Sequence, residues 1–135
     1  MGRPPHVVLT QVDYARLVRL LETIGDRDDL AALGEEVDRA EVAASEAVPN
    51  TLVTMNSTMR FRDETTLKES ELTLVYPGDA DVKKNRVSVL APIGSALIGL
   101  SVGDTIDWAL PLGRKTTLRV IDVVYQPEAA GHTHL

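Results

Sequence analysis

Along the first third of the chain, apolar residues recur at helical spacing. Thr10 stands three residues before Asp13, the form of a helix N-cap followed by an acidic third helical position. Tyr14, Leu17, Leu21 and Ile24 then repeat with 3-4-3 spacing, one stripe of an amphipathic helix. Gly25 sits where a helix-ending glycine belongs, and Asp26 or Asp28 can cap a second helix. There, Leu30, Leu33, Val37, Ala40 and Ala44 repeat with 3-4-3-4 spacing, a heptad seam, with Glu35, Glu36, Asp38, Arg39 and Glu41 outside it. Two such helices joined by a short turn predict an antiparallel αα-hairpin, a short coiled coil of roughly 20–25 Å at about 1.5 Å per residue. Val7, Val8 and Leu9 suffice only for an edge strand or an entry segment.

Pro49 and Asn50 break this pattern, and the period changes to two. Val53, Met55, Met59 and Phe61 share one parity and predict a long strand, or two strands across a bulge at Asn56–Ser57. Leu72, Leu74 and Tyr76 form a second strand face, ended by the turn Pro77-Gly78-Asp79. Val87 and Val89 mark a short third strand, and Ile106, Trp108 and Leu110 a fourth, with Gly113 in the hairpin turn after Pro111. The last strand, 116–125, carries Leu118 and Val120 on one face and then shifts phase to Ile121, Val123 and Tyr125, which predicts a bulge or strong twist. Pro127 is expected to stop it. One helix interrupts the strands: Pro92 suits a first helical position, and Ile93, Ala96, Leu97 and Leu100 follow helical spacing before Gly99 lets the chain turn out. The expected fold is α+β: a helical hairpin over residues 1–48, then an antiparallel sheet domain with one short helix over 49–135.

Charge divides the chain the same way. The net charge is −6, which argues against sequence-independent binding to nucleic-acid phosphates. Residues 1–48 hold five arginines against ten acidic residues, so the acidity belongs to the hairpin. Such a piece seeks a basic partner or presents a solvated helical face. There is no cysteine, hence no disulfide framework or thiolate metal site. No apolar run is long enough for a transmembrane helix, and the N-terminus lacks the apolar core of a signal peptide, so a cytoplasmic protein is expected.

The run Arg86–Tyr125 carries a specific resemblance. V-S-V-L-A-P-I-G-S-A-L-I-G-L-S-V-G-D, a tryptophan strand, a proline-glycine hairpin and V-I-D-V-V-Y resemble the C-terminal domain of the bacterial Gre transcript-cleavage factors. With P-N-T-L-V-T-M-N-S-T-M-R-F-R, L-T-L-V-Y-P, Y-Q-P-E-A-A-G and the short hairpin, nearly the whole length resembles a branch of that family with a truncated coiled coil, whose members regulate nucleoside diphosphate kinase. The resemblance implies an FKBP-like C-terminal domain and binding to core RNA polymerase at the rim of its secondary channel, in competition with Gre factors.

On this resemblance, Ala91, Pro92, Ile93 and Gly94 match the strand-to-helix loop with which Gre factors grip the polymerase. Core packing is the alternative for Pro92 and Ile93. Ala91 stands where Gre factors have serine, so a hydroxyl contact is lost. Gre factors carry two metal-holding carboxylates at the hairpin tip, and Asp26, Asp28 and Asp29 occupy the expected tip here. The plainer reading is that they cap the second helix. The short hairpin puts transcript cleavage in doubt. His132 and His134 are too few to hold a metal, His6 is isolated, and Asp79 and Asp81 lack the rest of a calcium loop. No phosphate loop, nucleophile elbow or dinucleotide motif is present.

The expectation is therefore a monomeric, non-enzymatic regulator that binds core RNA polymerase, with no cofactor, no metal, no membrane and no sequence-specific nucleic-acid contact. A transcript-cleavage cofactor using the tip carboxylates is the alternative. A prolyl isomerase is a third reading, drawn from the fold alone; its pocket needs several aromatics, and the domain offers only Phe61, Tyr76, Trp108 and Tyr125, which mostly fall at strand positions suited to the core.

Overall fold

The computed structural model describes residues 6–25 and 31–131. Strand β1 (Val8–Thr10) leads into helix α1 (Gln11–Ile24), where the Thr10 hydroxyl accepts the Asp13 N–H at 3.0 Å. The cap expected at Thr10 is thus in place. Gly25 closes the helix at φ 85° with its N–H on the Leu21 carbonyl. The buried face of α1 differs from the expected stripe by one position: Asp13 and Leu17 are buried, whereas Tyr14 is exposed.

Helix α2 (Ala31–Arg39) buries Leu33 and Val37, as their spacing required, but stops at Arg39. The heptad spacing running on through Ala40 and Ala44 is not helix. Glu41–Ala43 forms β2, parallel to β1 with Val8 opposite Glu41, and the Glu41 N–H donates to the Val7 carbonyl at 2.9 Å. Alanine gains little by burial on a helix face, so strand pairing wins there. Leu30 lies outside the described residues. The helices do not bury their stripes solely against each other: Leu17, Leu33 and Val37 join Met55, Met59, Leu74, Leu97, Ile98 and Leu100 in one hydrophobic cluster.

The main sheet has the order β5-β4-β3-β7-β6, built from β3 (Thr58–Asp63), β4 (Glu69–Val75), β5 (Arg86–Ser88), β6 (Thr105–Ala109) and β7 (Lys115–Tyr125). It is mixed, because β5 runs parallel to β4 while the other pairs are antiparallel. The bulge expected at Asn56–Ser57 is present. Asn56 N–H donates to the Leu74 carbonyl at 2.6 Å and the Ser57 carbonyl accepts from Leu74 at 2.9 Å, so two residues oppose one. Asn56 takes φ 67°, a left-handed geometry that asparagine tolerates. The phase change in β7 is also real. Its pairing with β3 shifts register between Arg60 and Phe61, where the partner jumps from Asp122 to Val120 and Ile121 is left over. Strand β7 ends at Tyr125, before Pro127 as expected, and Pro127 then opens a short helix α4 (Pro127–Ala130), where the missing N–H costs nothing.

Helix α3 (Pro92–Leu97) lies between β5 and β6, and its exit at Gly99 stitches the two halves together. The Gly99 carbonyl accepts from Val8 at 3.0 Å, and its N–H donates to Val53 at 2.9 Å. A side chain here would stand 2.4 Å from Val7 Cγ1, and φ is +79°. Only glycine lets β1, α3 and the 51–53 segment approach so closely.

Candidate docking site

The strand-to-helix step begins at β5. Ser88 Oγ accepts the Leu90 N–H and the Ser88 carbonyl accepts the Ala91 N–H, both at 3.0 Å, which folds the chain back tightly. Ala91 is the N-cap residue of α3, extended at φ −67° and ψ 149°, with no side-chain cap. Pro92 occupies the first turn, where its fixed φ suits a helix start. Ser95 secures that turn, its N–H on the Ala91 carbonyl at 2.9 Å and its hydroxyl on the Pro92 carbonyl at 3.1 Å.

The four residues of the step have different fates. Gly94 is buried against backbone: a Cβ would lie 2.3 Å from the Ser88 carbonyl oxygen and 3.1 Å from Leu74 Cδ1. Leu97 and Ile98 anchor the helix in the core. Pro92 remains exposed, and Ile93 is half-buried. The step thus presents an apolar pair on a rigid base.

Ile93 also lines a cleft of about 360 Å³ with Phe61, Trp108, Leu110 and Leu118, rimmed by Asp63, Thr66, Lys68, Ser70 and Thr116. Phe61 packs against the core and, like Trp108, also lines this opening. Asp63 is held rigidly: its Oδ1 accepts the Thr116 hydroxyl at 2.6 Å and the Thr65 and Thr66 N–H groups at 2.8 and 3.2 Å. These bonds, the Thr116 hydroxyl foremost, hold its pKa below the usual carboxylate value.

A second polar group ties the helices to the sheet. Asp13 is only 4% exposed, and its Oδ2 accepts the Met55 N–H at 3.1 Å. Burial pushes its pKa up to about 6; the Met55 N–H opposes this, and the Glu128 charge reinforces it. Glu128 accepts the Thr54 hydroxyl at 2.7 Å, beside the Thr54–Ser57 hydroxyl pair. Tyr76 completes the cluster, with the Arg16 guanidinium 5.9 Å from its ring centre and its phenol pKa raised by burial. The sequence showed Asp13 only as a cap-box acid; its reach to Met55 carries no local signal.

Asp26, Asp28 and Asp29 lie outside the described residues, as do His132 and His134. His6 pairs with Glu41 at 3.1 Å on the surface. Asp81 caps a 3-10 turn by accepting the Lys83 N–H. Among the described residues, no group of three His, Cys, Asp or Glu side chains is arranged to hold a metal. None of their helices is long and apolar enough to cross a membrane.

Two family models match the chain. The model for the C-terminal domain of transcription elongation factors GreA/GreB matches residues 48–125, and the Rnk N-terminus model matches residues 5–42. The chain is 41% identical to the regulator of nucleoside diphosphate kinase of Escherichia coli (strain K12), over 97% of both chains. It is 36% identical over 80 residues to GreA of Methylobacterium sp. (strain 4-46), covering 59% of this chain and 51% of that protein. A solved GreA/GreB elongation factor from Nitrosomonas europaea is 45% identical and superposes with a TM-score of 0.75, covering 90% of this chain and 99% of that one. The chain belongs to the GreA/GreB family, in its branch of regulators of nucleoside diphosphate kinase.

Proposed function

We propose that this protein is a cytoplasmic, monomeric regulator that binds core RNA polymerase at the rim of the secondary channel, competes there with Gre factors, and does not stimulate transcript cleavage. Nucleoside diphosphate kinase levels respond to it, in keeping with the name of the similar Escherichia coli protein. It catalyses no reaction of its own.

The observation that carries this reading is the α3 step. Pro92 is exposed and Ile93 half-exposed at a helix start whose backbone is fixed by Ser88, Gly94 and Ser95. Apolar side chains on rigid backbone lose little entropy on docking, which suits them as interface anchors. The helices supply the other half of the argument. Fourteen residues in α1 span about 21 Å, and α2 has nine residues. On this reading, an arm of that length stops short of the polymerase's catalytic centre.

The test uses backtracked elongation complexes. The protein should displace a Gre factor and so suppress Gre-stimulated cleavage, while adding no cleavage itself. Cleavage stimulated by the protein alone would contradict the reading, as would Gre activity left unchanged at saturating protein.

A further inference from the structure

Among the described residues, four other than glycine take positive φ: Asn56, Asn85, Leu67 and Leu112. The asparagines suit that geometry; the leucines do not, because a Cβ crowds the backbone there. Both leucines are also out in water, Leu67 at 65% exposure and Leu112 at 97%. Each therefore stands where a polar asparagine or a glycine would serve folding better.

The two leucines sit at one end of the molecule. Leu67 is in the β3–β4 turn, its N–H on the Asp63 carbonyl at 2.7 Å. Leu112 is in the β6–β7 turn, at φ 64° and ψ 32°. The turns are neighbours: Glu64 N–H donates to the Thr117 carbonyl at 2.8 Å, and the Thr65 and Thr116 hydroxyls meet at 2.9 Å. The aromatic cleft is lined by Thr66 and Lys68, which flank Leu67 in sequence, by Leu110, two residues before Leu112, and by Ile93 of the α3 step.

This end is also basic, against the sign of the whole chain. Residues 62–69 and 114–119 carry five cations, Arg62, Lys68, Arg114, Lys115 and Arg119, against Asp63, Glu64 and Glu69. Asp63 is occupied by Thr116, Thr65 and Thr66, and Glu64 by Arg62 and Arg119 at 3.1 Å each. Lys68, Arg114 and Lys115 are exposed and form no ion pair among the described residues.

We propose that this cleft and its two leucine tips are the seat for an acidic, apolar-anchored segment of a protein partner. The proposal rests on the polymerase reading for the partner's identity and extends the contact from the α3 step across the hairpin end. The cleft takes an apolar side chain, the leucines clamp its flanks, and the free cations meet carboxylates around it. A concave aromatic slot of side-chain size favours a protein segment over a flat lipid surface.

The test compares the full-length protein with Leu67→Asn/Leu112→Asn and Lys68→Glu/Arg114→Glu, each measured for melting temperature and for affinity to core polymerase. Asparagine tolerates the left-handed geometry, so the leucine variant should melt at the same temperature or higher. Both variants should bind at least tenfold more weakly. Wild-type affinity in both would overturn the proposal and leave the polymerase reading standing. If the wild-type protein fails to bind polymerase, that reading falls, and a synthetic leucine–glutamate amphipathic peptide decides this one. Peptide-induced NMR shifts at Lys68, Trp108 and Leu110 support the seat; their absence overturns it. Binding to anionic phosphatidylglycerol vesicles in preference to the peptide, lost in the leucine variant, assigns the surface to lipid and also overturns it.

Discussion

The carboxylate of Asp13, on the first helix, accepts the backbone N–H of Met55, in the segment leading into the sheet, at 3.1 Å. A buried acid is thereby spent on a buried amide that the bulge at Asn56–Ser57 leaves without a strand partner. With Gly99 it ties α1 and β1 to the segment that leads into the sheet.

Asp13 makes stability depend on pH in a defined sense. Its folded pKa, about 6, lies above the ordinary 3.8, so the folded state holds the proton more tightly than the unfolded state does. The contribution is complete below about pH 4 and is lost as pH rises through about 6. The stability of the wild type relative to Asp13→Asn should fall between pH 4 and 7 and then level off. Chemical denaturation across that range checks it; a constant difference would contradict it. Asp13→Ala, which orphans the Met55 N–H, should cost about 1–3 kcal/mol.

Gly94 sets the geometry of the step through close approach alone. Gly94→Ala drives a Cβ into the Ser88 carbonyl and should destabilise the protein by about 1–3 kcal/mol. Gly78→Ala meets nothing within 4 Å and should stay within about 0.5 kcal/mol of wild type. Thermal melts of the two variants separate a packing requirement from a general aversion to replacing glycine.

The Asp63 turn predicts an acid-side effect of opposite sign. Its folded pKa is lowered, so its contribution is present above the ordinary 3.8 and is lost as pH falls through the folded value. Thr116→Val removes the largest cause. The Asp63 carboxyl, followed by NMR titration, should then titrate closer to its ordinary value.

The tip carboxylates should be dispensable for docking. Replacing Asp26, Asp28 and Asp29 together by alanine should leave affinity for core polymerase within about threefold of wild type, since the contact is assigned to the sheet domain. A larger loss would move part of the interface to the tip.

Much of this architecture was legible because local chemistry reported it. Thr10 as a cap, Gly25 as a stop, the bulge at Asn56–Ser57 and the phase shift after Val120 all left their marks in residue type or period. Long-range pairing left none. Glu41–Ala43 continues a helical spacing, and only its partner Val8–Thr10, some thirty residues earlier, makes it a strand. The parallel pairing of β5 on β4 is hidden for the same reason. Pro92 and Ile93 stand out in the sequence through their motif, and the structure leaves the first exposed and the second half-buried. The cleft does not stand out, because alternation assigns Phe61 and Trp108 to an inner face without saying that the face is left open. Leu67 and Leu112 escaped notice because backbone sign is invisible in a sequence when the residue is neither glycine nor asparagine.

The most direct measurement is the affinity of core RNA polymerase for the wild-type protein and for Pro92→Asp, with melting temperatures alongside. An acidic residue is welcome in the first turn of a helix, so α3 should persist and the melt should move by no more than a few degrees. A charge set in an apolar contact should abolish binding and competition with a Gre factor. Wild-type affinity in a fully folded Pro92→Asp protein would contradict the account.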